Sequence, residues 1–447
     1  MARPGPISGF PEWLPEQRMI EQQVLDALRV GFELHGFVPI ETRAVEPLEQ
    51  LLAKGETDKE IYVLRRLHAS DEEGDAGLGL HFDMTVPFAR YVVEHAGKLS
   101  FPLRRYQIQK AWRGERPQEG RFREFVQADF DVIGRGQLPF QYDVELPLVL
   151  HEVWSALPLP PLRLHVNNRK INEGVYRSVG IKDIQGVLRA VDKLDKLGER
   201  GVSELLVGQV GCSEEQARVC LALACISSAD DAFVEEVRAL GVHDALLDEG
   251  LSELAEVVAA GRELAPGLMI ADLRIARGLD YYTGTVYETV MVGHEALGSV
   301  CSGGRYDNLA SAGDKLVFPG VGLSIGVTRV LGRLFGRGLL RASRNTPTCV
   351  LVALPAEQDR PRCNRLAAIL RGRGIPTEVA AEPVKYGRQI RYAERRGIPF
   401  VWFPQGESGG DEVRDIRSGV QQPADPQTWS VPAADLRVRV LIDDATR

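Results

Sequence analysis

Hydrophobic and polar positions change their spacing several times along the chain. Over residues 15–35, Met19, Ile20, Val24, Leu25, Leu28 and Phe32 recur at three- and four-residue steps, which predicts one amphipathic helix. Gly36 stops it, and residues 37–41 begin a strand that runs into Pro47. A strand is expected at 61–67, followed by a turn in the acidic, Gly-rich ASDEEGDAGLG. Pro87 suits a helix start, with Asp83 and Thr85 just ahead of it as capping oxygens or as acceptors for a ligand ammonium group. Residues 105–113 and 122–133 are β-rich runs flanking GERPQEGR, the signature of a hairpin with a long polar loop.

Past the hairpin, a helix is predicted at 142–155 and a strand at 162–167. Residues 170–265 are rich in Ala, Leu, Val and Glu, with helical spacing over 186–196, 214–224, 231–240 and 251–264; they predict a helical insertion with a solvated, charged face. LMIADLRIARGLDYYTGTVYETVMV returns to strand character, SVCSGGRYDNLA reads as turns, and FPGVGLSIGVTRVLGRL reads as a small-residue strand feeding a helix near Val327. The domain expectation is therefore 1–335 with the insertion inside it, a linker at 336–348, and a further domain at 349–447. In the last, strand-like VLVALP, PTEVAA and IPFVWFP alternate with helical RCNRLAAILRG and YGRQIRYAERRG, an α/β pattern.

Composition adds bounds. With 447 residues, 44% hydrophobic and 26% charged, the chain has the make-up of a globular protein with ample core material. The leader MARPGPISGFPEWLPEQ lacks an apolar signal core and no apolar run is long enough to span a bilayer, so a cytoplasmic location is expected. The net charge of −8 argues against a general basic coat, yet residues 360–396 hold ten Lys and Arg against three acidic residues, a local balance suited to an RNA backbone. The six cysteines form no C-x-x-C and the eight histidines no H-E-x-x-H. Free buried thiols are expected, with no metal site of the protein's own.

The chemistry concentrates in the hairpin. If both strands form, Gln107, Gln109 and Arg113 share one face, with Glu115 beyond them. Arg123, Phe125, Gln127, Asp129 and Asp131 share a face of the second strand, with Arg121 just ahead. Such a face is either wet or a polar floor for a charged ligand, and the planar guanidinium favours phosphate or carboxylate. With RGLDYYTG, SGGRYDNL and GVGLSIGVTR, the hairpin gathers Arg113, Arg121, Arg123, Arg277, Arg305 and Arg329. A polyphosphate substrate would neutralise them, and fixed guanidiniums can stabilise charge developing at an α-phosphate as pyrophosphate departs. Neither a G-x-x-x-x-G-K-[ST] loop nor a kinase signature set is present.

These segments carry a resemblance. FVPIETRAVEP, WRGERPQEGRFREF and GVGLSIGVTRVLGRL resemble the three motifs of class II aminoacyl-tRNA synthetases, while RGLDYYTGTVYE and CSGGRYDNL resemble the two motifs specific to histidyl-tRNA synthetases. The resemblance runs over nearly the whole chain. It implies an α+β fold: a class II antiparallel-sheet catalytic domain with a helical insertion, and a C-terminal α/β anticodon-binding-type domain carried by VKYGRQIRYAERRGIPFVWF. It implies ligation of L-histidine to histidine tRNA through a histidyl-adenylate, with ATP as substrate, Mg2+ accompanying ATP, and a homodimer.

The same resemblance assigns roles. Asp83, Thr85 and Gln127 would hold the α-ammonium of histidine; Asp131 and Tyr282 would grip the imidazole, with Tyr281 beside them. Arg113 would bridge the carboxylate and the α-phosphate, and Arg277 would be the catalytic cation. Glu115 and Phe125 would read and stack adenine, while Arg121, Arg123 and Arg329 meet the phosphates. Asp83 and Asp131 stand where bacterial members usually have Glu. Two other readings share the fold: a histidine-sensing paralogue of the type that regulates ATP phosphoribosyltransferase, and an adenylate-forming enzyme with an acceptor other than tRNA. The C-terminal domain speaks against both, and the joint presence of Arg113, Arg277 and Arg329 speaks against the sensor.

Overall fold

A computed structural model describes residues 5–52, 60–67, 77–275, 282–311, 316–405 and 409–442. They fall into two compact units. One holds Leu25–Arg333 and the chain up to Pro11; the other holds Glu12–Val24 and the chain from Leu334 onward.

The larger unit is built on a nine-stranded sheet. Its elements in chain order are helix α1 (Pro15–Leu34, whose second half lies in this unit), β1 (Val38–Pro39), α2 (Thr85–His95), β2 (Leu103–Trp112), β3 (Glu124–Ile133), α3 (Gln141–Ser155) and β4 (Leu162–Asn168). They continue through β5 (Ser227–Ser228), β6 (Met269–Asp272), β7 (Thr285–Met291), β8 (Cys301–Ser311), β9 (Val317–Ile325) and α4 (Val327–Gly336). The sheet order is β1-β2-β3-β9-β8-β7-β4-β6-β5. From β2 to β4 every neighbour is antiparallel; β1–β2 and β4–β6 are parallel. The predicted hairpin is β2–β3, with Arg105 opposite Asp131, Gln107 opposite Asp129 and Gln109 opposite Gln127.

Alternation splits the two strands by chemistry. Tyr106 and Phe130 point toward α1, where the Phe32 ring stacks on Phe130 at 4.8 Å and lies 5.6 Å from Tyr106. Arg105, Gln107, Asp129 and Asp131 point the other way and are buried. The expected alternative of a wet sheet face does not hold: at these four residues the floor is polar and buried. Arg105, with no exposed surface, lies 4.1 Å below the ring of Phe88 on α2.

SVCSGGRYDNLA, expected as turns, is strand β8. Its glycines answer to close backbone approach rather than to chain reversal: a Cβ at Gly303 would sit 2.0 Å from the Gly322 carbonyl oxygen, and one at Gly304 would sit 2.5 Å from that of Thr285. Arg305, grouped in the sequence with phosphate-binding arginines, is taken by Asp143 of α3. Its Nη2 donates to Asp143 Oδ2 at 2.6 Å and its Nε to the same carboxylate at 3.0 Å, while Tyr287 donates to the Asp143 carbonyl at 2.6 Å. The expected helical stretch consists of six α-helices between Arg169 and Leu264, interrupted by a π-helical turn and by β5. A capping box of Ser213 and Gln216 starts Glu214–Ala224. Five cysteines are buried and unbridged; Cys225 departs from expectation in being exposed.

The smaller unit has a five-stranded sheet in the order β11-β10-β12-β13-β14, formed by β10 (Val350–Val352), β11 (Thr377–Val379), β12 (Phe400–Phe403), β13 (Glu412–Asp415) and β14 (Gln421–Pro423). Helices α5 (Arg360–Gly372) and α6 (Tyr386–Arg396) make the two crossovers between its parallel strands. Leu340–Ala342, within the stretch expected as linker, is itself a strand paired with Val440–Ile442. No helix among the described residues is long and apolar enough to cross a membrane.

Replacing Arg305 by Ala would leave Asp143 buried and uncompensated. The expected cost is about 3–5 kcal/mol, read as an early unfolding transition of the larger unit in urea with the smaller unit's transition unmoved.

Candidate active site

A cavity of about 350 Å³ opens over the β3–β9–β8 part of the polar floor. Its wall includes Arg113, Glu115, Arg121, Phe125, Gln127 and Arg329. The long hairpin loop supplies one side. Gly120 turns there at φ +74°, and a Cβ would strike Leu297 at 2.3 Å, so position 120 accepts glycine on both counts. Arg113, just past β2, is aimed by its Nε donating to the Phe82 carbonyl at 2.9 Å, and its Cζ lies 5.2 Å from the centre of the Phe125 ring. Arg121 donates to Glu115 at 3.3 Å. Arg329 projects from the first turn of α4, whose start is tied to β3 by the Val126 N–H donating to Thr328 Oγ1 at 2.8 Å.

The electrostatics of this wall favour an anion. Burial, then the neighbouring Arg121 and Arg113, push the Arg329 guanidinium below its ordinary pKa, with Glu115 and Glu288 opposing. Arg329 Nε is buried without a hydrogen-bond partner. Three cations around one void, one of them unsatisfied, are stabilised by a bound polyanion.

Next to the cations lies the opposite imbalance. Asp83, Asp129 and Asp131 are all buried, with Arg105 the cation acting on Asp129 and Asp131 and Arg113 the stronger one on Asp83. Asp131 takes the direct ion pair at 2.7 Å and accepts from the Tyr306 hydroxyl at 2.9 Å. Burial raises its pKa, with Arg105 and Tyr306 opposing. Asp83 accepts from the Val86 N–H at 3.1 Å, so it does cap α2, but its Oδ2 is left buried and unpartnered. Burial raises Asp83 as well, against Val86, Arg113, His81 and Arg105. Asp129 rises to about 7: burial is the main cause, the carboxylates of Asp131 and Asp83 add to it, and Arg105 and Ser324 oppose. Gln127 Oε1 is a further buried acceptor without a donor.

The structure thus brings Arg113, Glu115, Arg121, Phe125, Gln127 and Arg329 to one cavity. Asp83 lies behind it in the buried cluster, and Thr85 opens α2 two residues on. Asp131 is held under Arg105 and Tyr306, and Tyr282 packs near Gly304, where a Cβ would meet its Cδ1 at 2.9 Å. Arg123 is not on the cavity wall; its Nε donates to the Glu115 carbonyl at 3.2 Å and its stem packs on Gly9. Arg277 and Tyr281 lie outside the described residues. Sequence reasoning gave no role to Arg105, Ser324 or Thr42. Arg105 and Ser324 stand in register with Asp131 and Asp129, and Thr42 accepts from Gln107 at 2.9 Å. Strand pairing would have found the first two; Thr42 falls within the strand predicted to run into Pro47, which in the structure is broken between Pro39 and Val45, and nothing in the sequence marks its contact with Gln107.

Known proteins resemble this chain closely. The family model described as Histidyl-tRNA synthetase matches residues 9–330. A protein of Micrococcus luteus named Histidine--tRNA ligase is 59% identical, the match covering 98% of this chain and 99% of that protein. One of the same name from Cutibacterium acnes is 55% identical, with 99% of both covered. The crystal structure of histidyl-tRNA synthetase from Nostoc sp. PCC 7120 superposes with a TM-score of 0.84 at 34% identity, covering 95% of this chain and 97% of that one.

The buried carboxylates set a pH dependence of stability. An Asp whose folded pKa is raised makes the folded state bind more protons than the unfolded state, so stability falls as pH rises from the ordinary carboxylate range to about 7. Asp129→Asn is expected to raise the ligand-free melting temperature more at pH 8 than at pH 5, as measured by calorimetry.

Proposed function

The chain belongs to the histidyl-tRNA synthetase family, and from that premise we propose that it ligates L-histidine to histidine tRNA in two steps at this cavity. In the first, an oxygen of the histidine carboxylate attacks the α-phosphorus of ATP. The bond to the bridging oxygen breaks, and pyrophosphate leaves histidyl-adenylate behind. In the second, the terminal ribose hydroxyl of the tRNA attacks the carbonyl of that mixed anhydride, loses its proton and expels AMP. Neither step uses a nucleophile of the protein; positioning and electrostatics supply the acceleration.

The observation that carries this reading is the pairing of two opposite deficits: clustered guanidiniums on the wall, that of Arg329 with an unsatisfied Nε, and unsatisfied acceptors beside them. A molecule with a triphosphate and a second with an ammonium group answer both. Arg113, between Phe82 and Phe125, reaches from one region to the other and suits a bridge from the substrate carboxylate to the α-phosphate. Phe125 offers a stacking surface to adenine, with Glu115 at its edge, and Arg121 and Arg329 take phosphates. Arg123, aimed at the Glu115 carbonyl, would reach phosphate after the loop adjusts. Asp83 Oδ2 and Gln127 Oε1 are acceptors for the α-ammonium, joined by Thr85. Asp131 and Tyr282 would grip the imidazole and Tyr281 line its pocket, an arrangement that disfavours apolar analogues because they leave buried partners unpaired. Arg277 would be the cation at the α-phosphate. Mg2+ would accompany ATP and pyrophosphate.

Further expectations follow from the same reading. The smaller unit would serve as the anticodon-binding-type domain, with the basic faces of α5 and α6 toward RNA. Arg371 and Arg373 are held by carbonyls of their own unit, Thr377 and Pro426, which leaves the contact to other members of the run. A homodimer would cover Leu34, which is 82% exposed, with Val30 and Val38 beside it on α1 and on the sheet-edge strand β1. A cytoplasmic location is proposed with it.

The direct test is histidine-dependent ATP–pyrophosphate exchange followed by charging of histidine tRNA. Exchange without charging would point to another acceptor, and failure of both would point to a sensor. Gln127→Ala is expected to raise the KM for histidine by about 10- to 100-fold while the KM for ATP changes little. Arg277→Ala is expected to cripple exchange far more than histidine binding; near-native exchange would remove Arg277 from the catalytic role.

A further inference from the structure

The amide of Gln127 has two ways to face the cavity, and they are opposite in sign. With Oε1 inward it accepts from an ammonium group; with Nε2 inward it repels one. Nothing in the amide itself chooses, since the two ends are alike in shape. The choice is made behind it. Gln127 Nε2 donates to Ser324 Oγ at 2.8 Å, and Ser324 Oγ donates in turn to Asp129 Oδ1. A hydroxyl has one proton. An ionised carboxylate only accepts, so beside it the serine proton must go to Asp129, the serine oxygen must accept from the amide N–H, and Oε1 is turned to the substrate.

Resting on the reading of Gln127 as an α-ammonium acceptor, we propose that Asp129 and Ser324 are positioning residues that set the polarity of the Gln127 amide and thereby specify an amine at the substrate's α-position. The geometry supports the chain at each link. Asp129 and Ser324 are directly opposite each other on β3 and β9. Gln127 and Asp129 lie on one face of β3, two residues apart. Gln127 Oε1, the end left over, is the buried acceptor without a donor. Ser324 and Gln127 line the cavity; Asp129 is not on its wall.

The relay reverses when Asp129 holds a proton. A protonated carboxyl can donate to Ser324, the serine proton then turns to Gln127, and the amide presents Nε2 to the cavity. The groups facing Asp129 are Arg105 on β2, Asp131 on its own strand, Asp83 ahead of α2, Ser324 on β9 and Cys301 on β8. Cys301 is fully buried and its thiol is pushed far above its ordinary range, chiefly by burial and then by Asp129, so it remains neutral. Of the carboxylates, Asp131 is held directly by Arg105. Asp129 stands at about 7, and of the three carboxyls it is the one joined through Ser324 to Gln127, so its proton is the one that reaches the amide.

The probe is the pair L-histidine and L-imidazole-lactate, which differ only in bearing an α-ammonium or an α-hydroxyl. Dissociation constants for both are measured by calorimetry on the full-length protein, beside histidine-dependent ATP–pyrophosphate exchange. The wild type is expected to prefer histidine by about 100-fold or more, the scale on which sites reject analogues that mismatch buried polar groups. Asp129→Asn and Ser324→Ala are expected to cut that preference at least about tenfold, and Ser324→Thr, which keeps the hydroxyl, to restore it. A merely structural role predicts instead that both ligands weaken in equal proportion and the preference survives; that result overturns the proposal. In the wild type alone, where folding of a variant is not in question, the preference is expected to rise from pH 6 to pH 8. The imidazole of each free ligand is titrated separately and its ionisation divided out of the ratio, so a flat corrected profile also overturns the proposal. A wild type with no histidine-dependent exchange removes the reading of the cavity on which the proposal rests; exchange with an unchanged preference in both variants removes the proposal alone.

Discussion

One fully buried guanidinium sits among three buried carboxylates. Arg105 has no exposed surface, pairs with Asp131 at 2.7 Å and lies beneath Phe88; Asp129 shares its field without an ion pair of its own, and Asp83 feels Arg113 of the cavity wall more than Arg105. Placing an ion in a low-dielectric interior costs several kcal/mol unless it is paired, and removing one partner of a pair leaves that cost exposed. The floor is therefore built short of positive charge, and the wall a few residues away is built short of negative charge, with Arg113, Arg121 and Arg329 around one void. Neither deficit improves the folded protein by itself. Both fall when a cationic group enters the floor and an anionic one meets the wall. The fold carries these costs because the sheet's other face is strongly apolar, with Phe32, Phe37 and Phe130 packed ring to ring.

The sheet makes this division of labour possible. Period-two alternation sends the aromatic residues of β2 and β3 to α1 and the ionisable ones to the ligand side, and antiparallel register sets the latter in rows across strands. Arg105, Asp131 and Gly322 form one row; Gln107, Asp129 and Ser324 form the next. Gly322 is part of the charge arrangement, because a Cβ there would lie 2.0 Å from Asp131 Oδ1. The glycines Gly303 and Gly304 of β8 and Gly320 of β9 answer to close packing against neighbouring backbone and the Tyr306 ring rather than forming a loop.

The hairpin, its polar faces and the long loop could be read directly, since alternation and loop composition are local properties. Helices such as Glu214–Ala224 and the start of α4 near Val327 were equally legible from periodicity. What escaped reading depends on partners distant in sequence. Strand β8 looked like turns because its glycines are demanded by Gly322 and Thr285 on neighbouring strands. Arg305 looked like a phosphate ligand because nothing near it announces Asp143, which lies 162 positions earlier. Asp129 was seen as one more polar residue on the face, and its distinct role appears only when Ser324 is placed opposite. Leu340–Ala342 read as linker because its partner is Val440–Ile442.

A ligand cation completes an under-neutralised cluster of buried carboxylates. Binding should then lower the pKa of the carboxyl that holds a proton near neutrality, so a proton must leave as histidine enters. Titrating histidine by calorimetry at pH 7 in buffers of different ionisation enthalpy measures that proton directly. The wild-type protein is expected to release clearly more protons than Asp129→Asn, the difference being independent of any change in the ligand's own imidazole. Equal proton release by the two proteins would contradict this.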